Sequence, residues 1–427
     1  MRSVTRRILY LIAFALFFII ASLLAFYAAG LRYNLDRGLI ERVGVFYIKS
    51  YPEGASILIN EVQTQKRTPQ RLLNLAPGTY EVSVERPTYD RWTKSLEILP
   101  GETTFVRDIV LFKASPEFVS LSGGGSSFIR SPGGTSYTYA AADGSIHLTN
   151  VENEKDFIIK SGTGPVIIRA ISPDGSRLIY SSLTGLHVLD INSETEMDLH
   201  IEPELVKKIS WDTANDDLIW ILRGSELVQF NLFANATTRS LLDIVDFLST
   251  NGQLSTIEKD DDSYMATVYG TAAGQSTVSY ALTGATDPRL ASVSNQLIIY
   301  ADATRVWALT RADSVFVEFN ARLHLLHDQR LLLADSFEES LSYLEDKKTE
   351  LIDRHSETTR SIEWHPSGSY FLRHVDDRAE LVELDGRDVR NVHLVDRIQD
   401  DATFSFNNEG SRLFVLSSTT NGFYVIQ

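Results

Sequence analysis

Four turns of one type recur along the chain: Ser131 to Thr135 (SPGGT), Ser172 to Ser176 (SPDGS), His365 to Ser369 (HPSGS) and Asn407 to Ser411 (NNEGS). Each stands between two short runs of strand-forming residues. Pro, Asp, Asn and Gly supply the backbone angles and local hydrogen bonds that reverse a chain tightly. In AISPDGSRLIYSSLTGLHVLDI the second run is Arg177 to Ser181, and a third, Leu186 to Ile191, follows another short loop. A unit of roughly 40 residues built this way has the pattern of a β-propeller blade. Units begin near Phe128, Val166, Val206, Ile244, Pro288, Ala321, Arg360 and Asp401, about 33 to 44 residues apart, which predicts eight blades. Seven follow if the weakly patterned region 244–320 forms one unit instead of two. The last unit stops at its third strand at Gln427. The strand-like segment Glu117 to Ser122, followed by a flexible Gly123-Gly124-Gly125, is expected to pair with it and close the ring.

The N-terminus sets a second constraint. From Ile8 to Gly30 there is no charged residue, and 23 residues of helix span about 34 Å, enough to cross a hydrocarbon core of about 30 Å. Arg2, Arg6 and Arg7 precede the run, and Tyr10, Phe26 and Tyr27 lie near its ends. Positive-inside bias and aromatic belts then put residues 1–7 in the cytoplasm and 31–427 outside it, as a single-pass plasma-membrane protein. A cleaved signal peptide is the competing reading, with Ala28-Ala29-Gly30 as its small-residue site, although such apolar cores usually run roughly 7 to 15 residues. Residues 31–43 read as a juxtamembrane spacer that continues the helix and breaks near Gly38. Only seven residues precede the span, so a signalling role would need a membrane partner.

Between spacer and repeats, apolar and polar residues alternate. In GTYEVSVER, Tyr80, Val82 and Val84 share one face while Glu81, Ser83 and Glu85 share the other, as in a half-buried strand. Similar runs at Val45 to Ile48, Ser56 to Ile59, Ser95 to Leu99 and Phe105 to Leu111 give about five strands, a small β-sandwich over residues 44–112. The motif Pro52-Glu53-Gly54-Ala55 is followed by Thr68-Pro69, Leu75-Ala76-Pro77-Gly78-Thr79-Tyr80, Tyr89 with Trp92, and Pro100-Gly101-Glu102. In that order and approximate spacing these resemble the PEGA domain family. The resemblance implies a compact extracytoplasmic sandwich, mostly non-catalytic and presumed to mediate protein or cell-wall contacts. Two turns depart from the family pattern, at Asn60 to Arg67 and at Thr88. Beyond residue 115 the turns and the strands after them resemble the WD40-like repeats of TolB-type propellers, SPDGSRLIYSS most clearly.

The net charge of −16, with three arginines as the only charges in the first 30 residues, makes the remainder strongly acidic; nucleic acid is thereby disfavoured as a partner. There is no cysteine, which excludes disulfides and thiolate chemistry. Neither a nucleophile elbow, a zincin pattern nor a phosphate loop occurs, so no catalytic residue, metal ligand or cofactor is expected. His324 and His327, three apart in a strand, point to opposite faces and do not converge on a metal. Asp260-Asp261-Asp262 lacks the alternation and Gly of a calcium loop and reads as a solvated hairpin tip. Asn235-Ala236-Thr237 fits a glycosylation sequon.

One constellation follows from the repeat geometry. Loops joining second and third strands gather on the face opposite the SPDG-type turns. They carry Asp143, Glu226, Asp260, Asp261, Asp262, Asp302, Asp335, Glu338, Glu339, Asp376 and Asp377, against Arg223, Arg305 and Arg378. That face is expected to be acidic and to receive a cationic partner, unless turn chemistry and overall acidity alone place the acids there. The expected architecture is all-β: an N-terminal transmembrane helix (8–30), a PEGA-like sandwich (44–112) and a propeller (115–427). The expected function is a non-enzymatic, bilayer-anchored envelope or cell-surface scaffold or sensor that contacts an envelope protein or a cell-wall polymer. The alternative is a propeller hydrolase or lyase acting on wall polymers through channel carboxylates.

Overall fold

The computed structural model describes residues 3–34, 38–121, 123–162, 164–250, 252–269, 277–312, 314 and 316–427. These fall into two compact units, one of Met1–Ser115 with Glu383–His393 and Gln427, the other of Pro116–Val382 with Leu394–Ile426.

In the first unit, helix α1 (Ser3–Ala28) contains an apolar window, Leu9–Ala28, with mean hydropathy 2.7. The window's 20 residues rise about 30 Å, the thickness of a hydrocarbon core. The helix stops at Ala28 and does not continue into the spacer. Strands β1 (Leu31–Asn34) and β2 (Leu39–Arg42) instead form an antiparallel hairpin, with Tyr33 opposite Ile40. Two arginines of the hairpin take up terminal helix carbonyls, which need partners once the helix ends. Arg32 donates to Tyr27 O (3.0 Å) and Arg42 to Ala29 O (3.3 Å).

Seven strands follow: β3 (Gly44–Tyr51), β4 (Ser56–Ile59), β5 (Val62–Arg67), β6 (Gln70–Leu75), β7 (Gly78–Glu85), β8 (Trp92–Ile98) and β9 (Thr103–Val110). They form a three-stranded sheet, β6-β3-β9, and a four-stranded sheet, β5-β4-β7-β8. The alternation in the sequence marks only about five. β5 and β6 are edge strands that bury little, so they carry no apolar alternation to read. Phe46, Ile48, Ala55, Ile57, Val82, Val84, Trp92, Leu96 and Val106 fill the space between the sheets.

The Pro52–Ala55 turn is bonded to Thr68. Gly54 N–H donates to Thr68 O (2.8 Å), Ala55 N–H to Thr68 Oγ1 (3.1 Å), and Thr68 N–H returns a bond to Ala55 O (2.9 Å). Glu53 keeps its side chain exposed while its carbonyl accepts from Arg86 (2.8 Å). The motif therefore holds two segments of one sandwich together.

The segment Glu383–His393, from far downstream in the chain, completes this unit. Lys94, with its side chain wholly buried, lies 3.1 Å from Glu383 Oε2 and donates to the carbonyls of Asp385 (2.8 Å) and Val389 (3.0 Å). Trp92 Nε1 (2.9 Å) and Asn391 Nδ2 (2.7 Å) donate to the Glu383 carboxylate. Each ion is thus paired and its remaining hydrogen-bonding capacity used, which a charge pair removed from water requires.

The second unit holds eight four-stranded sheets among the described residues. Seven are simple antiparallel meanders, within residues 125–160, 167–198, 206–241, 244–282, 289–320, 323–354 and 359–397. Region 244–320 thus forms two sheets. In the eighth, the strands Thr403–Phe406, Arg412–Leu416 and Asn421–Val425 are joined by β10 (Glu117–Ser120), with Glu117 opposite Val425. First strands of most successive sheets pack side by side, and Gly125–Arg130 meets Arg412–Leu416 where the last sheet reaches the first. There Tyr137 stacks on Phe414 (4.5 Å between ring centroids), and Tyr139, Leu416 and Phe423 complete the cluster.

The glycines after β10 are not a loose joint. Gly124 packs so closely on the Ser418 backbone that a Cβ would collide with it, and Gly125 N–H donates to Ser417 O (3.0 Å). Only glycine lets the backbones of the first and last sheets approach this far. Ser122, at the end of the expected closing segment, lies outside the described residues.

The SPDG-type turns bond from sheet to sheet. Arg330 donates to Gly368 O (2.7 Å), His365 Nε2 to Gly410 O (3.0 Å), and Asn408 Nδ2 to Gly133 O (2.6 Å). His365 is 1% exposed, and burial pushes its pKa down to about 4.

Candidate interaction face

Strands alternate in direction, so within each sheet the connection between first and second strands lies on one side and that between second and third on the other. All eleven expected acids lie at second-to-third connections or at the strand ends flanking them. They do not, however, form one acidic surface. Glu339 is fully buried: it accepts from Arg373 (3.0 Å), His355 (2.9 Å) and Thr359 (2.6 Å). Asp302, its side chain 3% exposed, turns back to accept from the N–H groups of Thr304 (2.9 Å), Arg305 (2.9 Å) and Thr286 (3.2 Å). Burial works against the Asp302 carboxylate, but these donors outweigh it and hold its pKa below the usual value.

Most of the others are partnered. Asp143 accepts from Ser145 Oγ (2.5 Å) and Ser145 N–H (2.8 Å), which lowers its pKa. Glu226 lies 3.4 Å from Arg223, Asp335 3.2 Å from Arg322, Glu338 2.7 Å from Arg354 and Asp377 2.7 Å from Arg397. Asp376 accepts from Thr358 N–H (3.2 Å). Counting loops between second and third strands alone had found Arg223, Arg305 and Arg378. The fourth strands and the connections that follow them bring Arg322, Arg354 and Arg397 to Asp335, Glu338 and Asp377, because both kinds of connection lie on this side. Asp260, Asp261 and Asp262 differ. All three are exposed, and among the described residues their carboxylates have no hydrogen-bond or ion-pair partner. Asp261 also lines a cavity of about 360 Å³ with Lys207, Lys259, Tyr264, Asp287 and Arg289.

Arg373 is the centre of a buried charge network that sequence reading missed. Burial opposes its charge, but Asp353 (2.7 Å), Glu339 (3.0 Å) and Glu380 (2.9 Å) surround it and raise its pKa. Glu380 also accepts from Arg378 (2.8 Å). Nothing in the local sequence marks these residues, since they come from four strands of two sheets.

A second missed feature repeats within single sheets. A second-strand Tyr stacks on a third-strand ring, which reaches a fourth-strand acid: Tyr139, His147 and Asp156; Tyr180, His187 and Glu196; Tyr300, Trp307 and Glu318. Spacings of 7 or 8 residues, then 9 or 11, are its sequence signal. In the first sheet Ser145 Oγ lies 2.8 Å from His147 Nε2, and both are buried. In the second, Ser182 Oγ lies 3.0 Å from His187 Nε2, whose Nδ1 is 3.1 Å from Glu196 but outside hydrogen-bond geometry. Ser182 borders an open groove of about 690 Å³ lined also by Arg169, Leu183, Asp198, His200 and Glu202.

Glu363, on the first strand of the seventh sheet, is half-buried, and desolvation raises its pKa to about 7 although Arg130 opposes the shift. His324 Nδ1 is buried without a hydrogen-bond partner, whereas His327 lies against Trp364 with ring centroids 5.2 Å apart. Among the described residues no three His, Cys, Asp or Glu side chains are arranged to hold a metal ion. Asn235 is exposed in a turn with φ +51°.

Residues 43–111 match the PEGA domain family. No curated protein matches the chain by sequence. Among solved structures, the C-terminal WD40 domain of Sif2 superposes with a TM-score of 0.55 at 11% identity, covering 73% of this chain and 99% of that one. Hsv2 of Kluyveromyces lactis gives 0.47 at 14% identity (65% and 100% covered), and the dihydro-heme d1 dehydrogenase NirN in complex with DHE gives 0.48 at 11% (67% and 69%). The Sif2 likeness, at this identity, concerns fold alone. The chain thus joins an apolar N-terminal helix to a PEGA domain and a β-propeller of the WD40 type.

Proposed function

We propose that this protein is a non-enzymatic interaction scaffold, anchored in the plasma membrane by α1 with residues 1–7 cytoplasmic, whose eight-bladed propeller captures a basic segment of an envelope protein. The observation that carries this reading is the Asp260–Asp262 tip. On a face where arginines and backbone N–H groups engage most other acids, these three carboxylates are exposed and unengaged, and Asp261 borders a cavity. Rigid strands presenting polar loops suit recognition, and rim charges of this kind set association rate and partner choice. The test is capture from envelope extracts by the full chain, with isolated wall polymers assayed in parallel. D260N/D261N/D262N should lose the partner while D377N, which removes a carboxylate already paired with Arg397, retains it. Equal capture by both variants would refute the assignment, and binding to wall polymer alone would replace the protein partner.

The enzyme reading has one observation in its favour, the Ser182, His187 and Glu196 arrangement beside the 690 Å³ groove. The buried copy at Ser145, His147 and Asp156 supports reading the arrangement as a packing device of the repeat. Ester hydrolysis abolished by S182A would favour the enzyme reading over the scaffold.

A further inference from the structure

The outward face of the β6-β3-β9 sheet has a composition opposite to that of the chain. Inward positions of β3 and β9 are buried, so Val45, Tyr47, Lys49 and Tyr51 of β3, with Phe105 and Arg107 of β9, point to solvent, joined by the exposed Arg71 and Leu73 of β6. Register sets Tyr47 between Arg71 and Phe105. The Arg71 guanidinium lies 5.7 Å from the Tyr47 ring centroid, the Tyr47 and Phe105 rings are 6.0 Å apart, and Arg107 sits 4.6 Å over Phe105. Lys49, Arg71 and Arg107 are all exposed in a protein whose net charge is −16. The nearest acid along β9, Asp108, sits at the register shift and contributes to the electrostatic surroundings of Arg387.

This face begins where α1 ends. Val43 N–H donates to Gly30 O (3.0 Å), Gly101 N–H to Val43 O (3.2 Å), and Arg32 reaches Asn74 Oδ1 at the end of β6 (3.3 Å). The row Arg71, Tyr47 and Phe105 lies three residues along β3 from Gly44, about 10 Å at strand rise. A headgroup layer occupies roughly 5 to 7 Å beyond the hydrocarbon, and charges act over a Debye length of about 8 to 10 Å. Arginine, lysine and amphipathic rings are the side chains that favour this zone.

We propose that the outward face of β6-β3-β9 docks on anionic headgroups of the bilayer that α1 enters, with Lys49, Arg71 and Arg107 facing lipid phosphates and Tyr47 and Phe105 at the interface. The proposal rests on the anchor reading of α1, and the two fail separately. The chain has no cysteine, so Leu73→Cys, exposed on this face, gives a single labelling position, and Val62→Cys on β5 of the other sheet gives the reference. The full chain is placed in nanodiscs of phosphatidylcholine, with or without phosphatidylglycerol, containing a headgroup nitroxide quencher.

The Leu73→Cys fluorophore should be quenched when phosphatidylglycerol is present and recover in high salt, while the Val62→Cys reference changes little. Each basic side chain near an anionic surface contributes about fivefold. Lys49→Gln, Arg71→Gln and Arg107→Gln together should therefore lower the docked-to-free ratio about a hundredfold. All three side chains are exposed, and an unchanged melting curve confirms that the variant folds. Equal quenching with and without anionic lipid, or no change in the triple variant, overturns the proposal. Shielding of the probe by soluble dextran sulfate, with no dependence on lipid, overturns it in favour of a polymer-binding face. Loss of residues 3–28 from the mature chain, read by mass spectrometry, defeats the anchor reading independently.

Discussion

Glu363 gives the most direct test of the packing described for the propeller. Its carboxyl is half-buried on the first strand of the seventh sheet, and desolvation raises its pKa from 4.5 to about 7. Because the folded value lies above the unfolded one, the unfolded chain releases the proton first. The stabilisation is complete below pH 4.5 and is lost as the pH rises through about 7. At about 1.4 kcal/mol per pH unit, the difference amounts to about 3 kcal/mol at pH 8. E363Q keeps the shape and removes the ionisation. Denaturant unfolding should give nearly equal stabilities for wild type and E363Q at about pH 4, with the variant ahead by about 3 kcal/mol at pH 8. A difference of the same size at both pH values would mean that packing or a lost hydrogen bond, and not ionisation, governs this position. No difference at pH 8 would mean that Glu363 is solvated.

His365 acts with the opposite sign across an overlapping window. Its pKa is depressed to about 4, so its contribution is complete above pH 6.5 and lost as the pH falls toward 4, about 3 kcal/mol in all; H365Q should flatten that acid limb in a pH series of thermal melts. The Lys94 and Glu383 pair is a buried ion pair whose members come from distant parts of the chain. Glu383→Gln should cost about 3 to 5 kcal/mol by stranding the lysine, whereas adding Lys94→Met to it should recover part of the loss, read as the coupling in a denaturant double-mutant cycle of the two substitutions.

The sequence was most legible where a property is local. An uncharged run, a Pro or Gly at a turn and the alternation of Tyr80, Val82 and Val84 each depend on neighbours a few residues away. The helix, the PEGA domain and the repeated sheet plan could therefore be read directly. The spacer shows where local reading fails: Leu31 to Arg42 reads as more helix, yet it forms a hairpin whose Arg32 and Arg42 fold back on the carbonyls of Tyr27 and Ala29 at the end of α1. The acids could be assigned to loops, but not to environments. Glu339 and Asp377 look equivalent in sequence, yet one is buried beside Arg373 and the other is exposed and paired with Arg397.

Sequence by itself thus determined the elements and the side of each sheet on which a loop falls, because strand periodicity and turn chemistry are short-range. Tertiary structure alone decided which charges are neutralised, that Lys94 meets Glu383, and that an acidic chain displays a basic aromatic face on β6-β3-β9. Those outcomes depend on which strands the fold brings side by side, and Coulomb and hydrogen-bond energies respond to distance and burial in space, not to separation along the chain.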